Sequence, residues 1–397
     1  MWPIHSFSGF FIFLYMALML SVLQKTVFRI EELWYYIQKT NTLSLTGCDA
    51  DKIKWNDENN RQEGKVMNKK TKGCIIMSCI LTAASSIAVN AGTSESGPRV
   101  AVAWNNKQDT YSFTSLVTTL EETGADYEIL DMVQSYDLSY DKGGELIDAK
   151  DKNGILTPEA AKLVRNNTWI GSNAEELMEG VDCIIFSGGS DISPTLFYEE
   201  QEWHGIEDER DYCAERDVSD YILMSYCLEH DIPILGICRG MQMLSTVSGA
   251  EVIQDLGSYY ADSGVQYHNV HRDPEKKDLV PHPVDILTKD SILYDVYGTL
   301  HLEGCPSWHH QAVKDVANTR LAVTAQANTD GIPVIEAVER HDQTFCLGVQ
   351  FHPEVAVRKA VDHAENAGNF MDYDTAMAIF HALFEAGDSH RELDYAA

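Results

Sequence analysis

Basic residues are scarce in this chain: 30 Lys and Arg stand against 61 Asp and Glu over 397 residues, a net charge of −31. So acidic a surface has little with which to neutralise a phosphate backbone, which argues against nucleic acid as a partner. Cysteines at zinc-binding intervals are lacking too. The nine cysteines fall at irregular spacings, so they spell no zinc site. Internal repeats, which would signal a solenoid or a propeller, are absent. What is present is a hydrophobic content of 44%, ample for a core.

Long apolar runs are confined to the front of the chain. Phe7 to Leu23 is an apolar stretch of about seventeen residues, a transmembrane helix or a second signal-like segment by its length. Residues 67–91 read as an export signal. Met67-Asn-Lys-Lys-Thr-Lys-Gly73 is its basic start, Cys74 to Val89 a mostly apolar core, and Val89-Asn-Ala91 supplies small residues for cleavage. The core is short for a span, which favours a cleaved signal over an anchor. On this reading Met67 is the effective start, residues 1–66 are an extension upstream of it, and residues 92–397 form one exported catalytic domain.

From Arg99 the pattern alternates between short apolar runs and amphipathic stretches. Val100–Trp104, Tyr127–Leu130, Val181–Phe186 and Ile232–Ile237 read as strands, with helices over Ser112–Glu122 and Tyr221–Leu228. Further strands are expected at Val284–Leu287, Leu321–Ala325, Val334–Val338 and Phe345–Val349, some of them antiparallel, and a closing helix at Asp374–Ala386. Such alternation predicts an α/β fold, a doubly wound and mostly parallel sheet with active residues at the strands' C-terminal ends. Residues 131–175, rich in Asp, Lys and Gly, read as an inserted surface excursion with a short helix near Pro158–Val164, either a cap over a pocket or decoration.

The chemistry concentrates in two segments. In Ile234-Leu-Gly-Ile-Cys-Arg-Gly-Met-Gln242 a buried strand delivers Cys238 between Gly236 and Gly240. Small flanking residues are what a nucleophile elbow demands, and a helix opening just after the cysteine favours its thiolate. About 110 residues downstream, Gly348-Val-Gln-Phe-His-Pro-Glu354 brings a histidine and a carboxylate two positions apart. A free thiol has a pKa of about 8.5 and needs a base. His352 is that candidate, and Glu354, on the same side if the stretch is extended, would orient its ring.

These residues, with Phe186-Ser-Gly-Gly-Ser-Asp-Ile-Ser-Pro194, Glu215-Arg-Asp217, Val252-Ile-Gln-Asp-Leu256 and Ser307-Trp-His-His-Gln-Ala-Val313, resemble the class I glutamine amidotransferase-like superfamily over roughly residues 98–385. Within it they look most like the gamma-glutamyl hydrolases of gamma-glutamyl-gamma-aminobutyrate hydrolase type. The resemblance implies a flavodoxin-like fold and a Cys238-His352-Glu354 triad. It also implies hydrolysis of gamma-glutamyl amides of small compounds through a thioester, with no metal or organic cofactor. Backbone amides of Gly188, Gly189 and Arg239 would form the oxyanion hole, although a glycine pair also suits a plain tight turn. Arg239 is where glutaminase subunits of synthetases usually carry an aliphatic or aromatic residue. This position and the expected export both point away from a synthetase partner, and self-association is left open. The Arg239 guanidinium could pair with a carboxylate of the substrate or of the protein.

Arg216 or Asp217 is placed by the resemblance at the glutamyl amino or carboxylate end, and Gln242 and one of His309 and His310 in the substrate pocket. Adjacent histidines on a strand face opposite ways, so His309 and His310 are not expected to share a metal ion. Cys183, Cys227 and Cys346 lie in apolar runs and Cys213 and Cys305 in polar surroundings, and no disulfide to Cys238 is expected.

Overall fold

A strand whose residues are all apolar must be covered on both faces, and that is how the centre of this molecule is built. The computed structural model describes residues 97–207, 210–273, 275, 279–328 and 330–394. In chain order the strands are β1 (Arg99–Val102), β2 (Asp126–Ile129), β3 (Cys183–Phe186), β4 (Ile234–Ile237), β5 (Glu251–Ile253), β6 (Val280–Ile286), β7 (His301–Ser307), β8 (Ala312–Asp315), β9 (Ala322–Ala327), β10 (Val334–Glu339) and β11 (Cys346–Val349). The helices are α1 (Tyr111–Thr123), α2 (Pro158–Asn167), α3 (Ala174–Leu177), α4 (Ala214–Glu229), α5 (Arg239–Val247), α6 (Leu256–Asp262), α7 (Ile292–Tyr297), α8 (Pro353–Val361) and α9 (Tyr373–Asp394).

Nine strands form one mixed sheet in the order β2-β1-β3-β4-β11-β10-β9-β6-β7, and β5 pairs with β8 apart from it. The first five run parallel. The remaining four pair antiparallel in succession. Strands β3, β4 and β11 are buried throughout. Alternate side chains divide between two apolar layers: Ile184, Phe186 and Ile234 join one, Cys183, Ile185, Leu235 and Ile237 the other. The parallel half therefore has the doubly wound, flavodoxin-like order, with the strand order reversing at β1 and β3.

Several expectations change on the structure. Residues 131–175 are not a surface excursion. Val133, Leu146, Leu156, Ala160 and Val164 are buried in the first apolar layer. Their backbone is tied to the body by Leu146 N–H on Glu215 (2.8 Å), Leu156 N–H on Ser193 Oγ (2.9 Å) and Val133 N–H on Ser219 Oγ (3.0 Å). Cys305 is fully buried in the second layer rather than in polar surroundings. The six described cysteines are all free thiols.

The expected export or membrane anchoring is also corrected. Among the described residues no helix is long and apolar enough to cross a membrane. The apolar segment 7–23 and the signal 67–91, on which that expectation rested, lie outside the described residues. Export therefore no longer weighs against a synthetase partner.

Candidate active site

Three neighbouring parallel strands end at one place, where β3 leads to Gly188 and Gly189, β4 to Cys238 and β11 to His352. Cys238 is the N-cap of α5 with φ 52° and ψ −102°, a backbone state that costs a non-glycine residue about 1–3 kcal/mol. It is fixed on both sides. Its N–H donates to Val349 O at 2.7 Å, and its carbonyl accepts from Gln242 N at 3.1 Å. The flanking glycines are steric requirements. A Cβ on Gly240 would fall 2.2 Å from Phe186 O, and one on Gly236 would fall 2.6 Å from the Gly240 carbonyl carbon.

His352 is almost completely buried, and its Nδ1 lies 2.6 Å from Glu354 Oε1. The two residues are not on an extended strand, as the sequence reading supposed. Pro353 opens α8, and its fixed φ suits the first helical position. His352 is thereby the N-cap and Glu354 part of the first turn, which still brings their side chains together. Burial works against charge on His352. The Glu354 carboxylate and the neighbouring Cys238 outweigh it and hold the imidazole well above its ordinary pKa. A Cβ on Gly188 would lie 2.7 Å from His352 Cε1 and 3.6 Å from Cys238 Cβ, so this glycine leaves room for the pair.

Beside the sulfur, Gly189 adopts φ 150°, open to glycine alone, and a Cβ there would collide with Arg216 Nη1 at 1.8 Å. Arg239 begins α5, so its N–H is among those a helix leaves unsatisfied at its start. Its guanidinium turns inward. It is fully buried, bonded to Asp217 at 2.6 Å and to Asp220. Arg216, also fully buried, lies 3.3 Å from Asp220 and donates to Ser187 O at 2.9 Å. Of the two readings for the Arg239 guanidinium the structure selects the protein's own carboxylates. Arg216 and Asp217 do not face the cavity, which corrects their expected contact with substrate. They brace the 187–189 loop and the elbow from beneath.

Two adjoining cavities of about 480 and 510 Å³ open on either side of Cys238 and share Gly189, Asp211 and Trp308. The first is walled by Asp191, Gln242, Arg272, His309, His310 and Gln311, the second by Lys107, Thr110, Tyr111 and His352. Two larger hollows, about 770 and 750 Å³, have no cysteine in their walls. Gln242 donates to Gln311 O at 2.9 Å and to Gln350 Oε1 at 3.1 Å, which holds the wall in place. His310 Nε2 lies 3.0 Å from Asp191, and its Nδ1 lies 3.5 Å from Asp255. Burial opposes its charge, but these acids raise its pKa to about 9, so it is cationic at neutral pH. His309 turns the other way, toward His271, His282 and Glu336. The two histidines lie beyond β7 rather than on a strand, and His309's partners lie far along the chain.

Asn105, Lys107, Asp191, Asp211 and Trp308 are site residues that the sequence reading did not single out. Asn105 follows β1 and donates to Ser187 Oγ (3.1 Å) and Gly188 O (3.3 Å), anchoring the glycine loop. Its place just beyond a strand at the sheet's order reversal was the available signal.

Residues 164–354 match the peptidase C26 family. The chain is 36% identical over 183 residues to protein NtpR of Enterococcus hirae, covering 46% of this chain and 70% of that one. It is 29% identical over 219 residues to a glutamine amidotransferase-like protein of Rickettsia prowazekii, covering 47% and 75%. With the gamma-glutamyl-gamma-aminobutyrate hydrolase of Escherichia coli O157:H7 it shares 31% identity over 182 residues, 45% of this chain and 66% of that enzyme. The chain belongs to the class I glutamine amidotransferase-like superfamily.

Proposed function

We propose that this protein hydrolyses gamma-glutamyl amide bonds of small compounds with Cys238 as nucleophile. The observation that carries the proposal is the buried pair of Glu354 and His352 set against a cysteine held at positive φ. Cys238 passes its proton to His352 and attacks the side-chain amide carbonyl of the glutamyl group. The amide N–H groups of Gly189 and Arg239 receive the oxyanion, with Gly188 shaping the space beside it. His352 then gives its proton to the departing amine, leaving a gamma-glutamyl thioester. Water loses a proton to the same histidine, adds to the thioester, releases glutamate and restores the thiol. Asp191 and Asp211 suit the substrate's ammonium, and His310 and Lys107 its carboxylate.

The reaction is tested with the full-length protein and a panel of gamma-glutamyl amides, gamma-glutamyl peptides and free glutamine, scoring glutamate release. Turnover of gamma-glutamyl amides is expected, and Cys238→Ala, folded by circular dichroism, should lose at least about 10³-fold in rate. Turnover of glutamine alone would instead identify a glutaminase that serves a synthetase. Undiminished turnover in Cys238→Ala would rule out the proposed nucleophile.

A further inference from the structure

We propose that His271, His282, His309 and Glu336 form a closed site for one divalent transition-metal ion of the zinc class. The four side chains come from separate parts of the fold: the loop before β6, β6 itself, the loop after β7, and β10. All are buried, His271 and Glu336 completely. One ligand atom from each lies within 4.8 Å of the others.

The spacing suits an ion better than a set of hydrogen bonds. Glu336 Oε1 lies 3.2 Å from His271 Nδ1 and 3.7 Å from the Nε2 atoms of both His282 and His309. Ligands 2.0–2.2 Å from a tetrahedral zinc ion stand about 3.3–3.5 Å apart, which is this scale. None of these atoms has a hydrogen-bond partner among the described residues, and neither does the second Glu336 oxygen. A buried carboxylate left without partners is costly, and three imidazole nitrogens aimed at it compound the cost. A shared cation resolves all of these at once.

Two of the three remaining ring nitrogens support the assignment, while His271 Nε2 has no hydrogen-bond partner among the described residues. His282 Nδ1 lies 3.0 Å from Pro283 O, and His309 Nδ1 lies 2.9 Å from Gln311 O. An N–H donated to a carbonyl fixes the tautomer and leaves the Nε2 lone pair on the common centre, as around protein-bound zinc. Three nitrogens and one carboxylate, with no open position, describe a structural site. The ion would fasten β10 and β6 to the segment 307–311, which walls the cavity at Cys238.

Metal content is measured on the full-length protein, dialysed after exposure to Zn²⁺. About one equivalent is expected in the wild type and in His301→Gln, an exposed histidine outside the site, with at least a tenfold loss in Glu336→Gln and His282→Gln. Wild-type protein loaded with Co²⁺ should show the strong visible absorption of a tetrahedral ion, a readout that needs no variant to fold. The assignment is overturned by wild type that retains under about a tenth of an equivalent, or by folded Glu336→Gln that keeps a full one.

Discussion

His352 keeps its proton through Glu354, and the sign of that coupling makes a pH prediction. Burial lowers the imidazole's affinity for a proton, while Glu354 and Cys238 raise it by more. A histidine raised in the folded state contributes stability that is fully present below its unfolded value of about 6.5 and is lost as pH rises through the folded value. In the proposed reaction the same proton goes to the leaving amine, so the alkaline limb of kcat/KM lies above the ordinary histidine range. Glu354→Gln removes the negative neighbour at nearly constant shape. The limb should move to lower pH, and kcat/KM should fall by about 10²–10⁴-fold. A pH–rate profile in which the limb stays in place would show that another group titrates there. That Cys238, His352 and Glu354 come together could be read from the sequence because two short segments carry them with their turn residues. The orienting geometry could not be, because an extended His-Pro-Glu and a helix N-terminus opening at Pro353 leave the same letters.

The elbow works only because α5 can press against the ends of β3 and β4, and Gly240 is where the helix meets Phe186. Gly240→Ala would place a methyl 2.2 Å from Phe186 O, so the helix must move. Urea unfolding should show a loss of about 1–3 kcal/mol, with activity falling further than stability because Cys238 stands two residues away. Beneath α5 lies the buried quartet of Arg216, Asp217, Asp220 and Arg239, balanced in formal charge. Asp217→Ala leaves the buried Arg216 and Arg239 with Asp220 as their one carboxylate in the quartet and should cost about 3–5 kcal/mol, whereas Asp217→Leu with Arg239→Met, which removes both charges, should cost clearly less. Equal losses in the two proteins would mean that packing rather than charge sets the penalty. Strands with continuous apolar runs, such as β3, β4 and β11, were legible in advance. Strand β7 was not: His301-Leu-Glu-Gly-Cys-Pro-Ser307 carries a glycine and a proline, tolerated because it is the sheet's edge. Tertiary partners also stayed hidden. Nothing in Glu215-Arg-Asp217 distinguishes a charged helix start facing substrate from one packed under the elbow.

Across the whole molecule a net charge of −31 sets a field that a substrate must cross before it meets Cys238. Within the cavities the charges are mixed. Lys107 is engaged by Asp211 at 2.5 Å and His310 by Asp191 at 3.0 Å, so each of these cations is largely offset by its neighbour. The long-range field is therefore the uncompensated one, and it repels anions. Salt shortens its reach, from about 30 Å at 0.01 M to about 10 Å at 0.1 M ionic strength. For a gamma-glutamyl compound with net negative charge, kcat/KM should rise several-fold over that range, while a neutral one should change little. The rise should lie in kcat/KM and not in kcat, because screening acts on encounter and not on the proposed thioester chemistry. A fall with salt for the anionic substrate would mean that His310 and Lys107 are released from their acids when substrate enters, and that the local field governs capture.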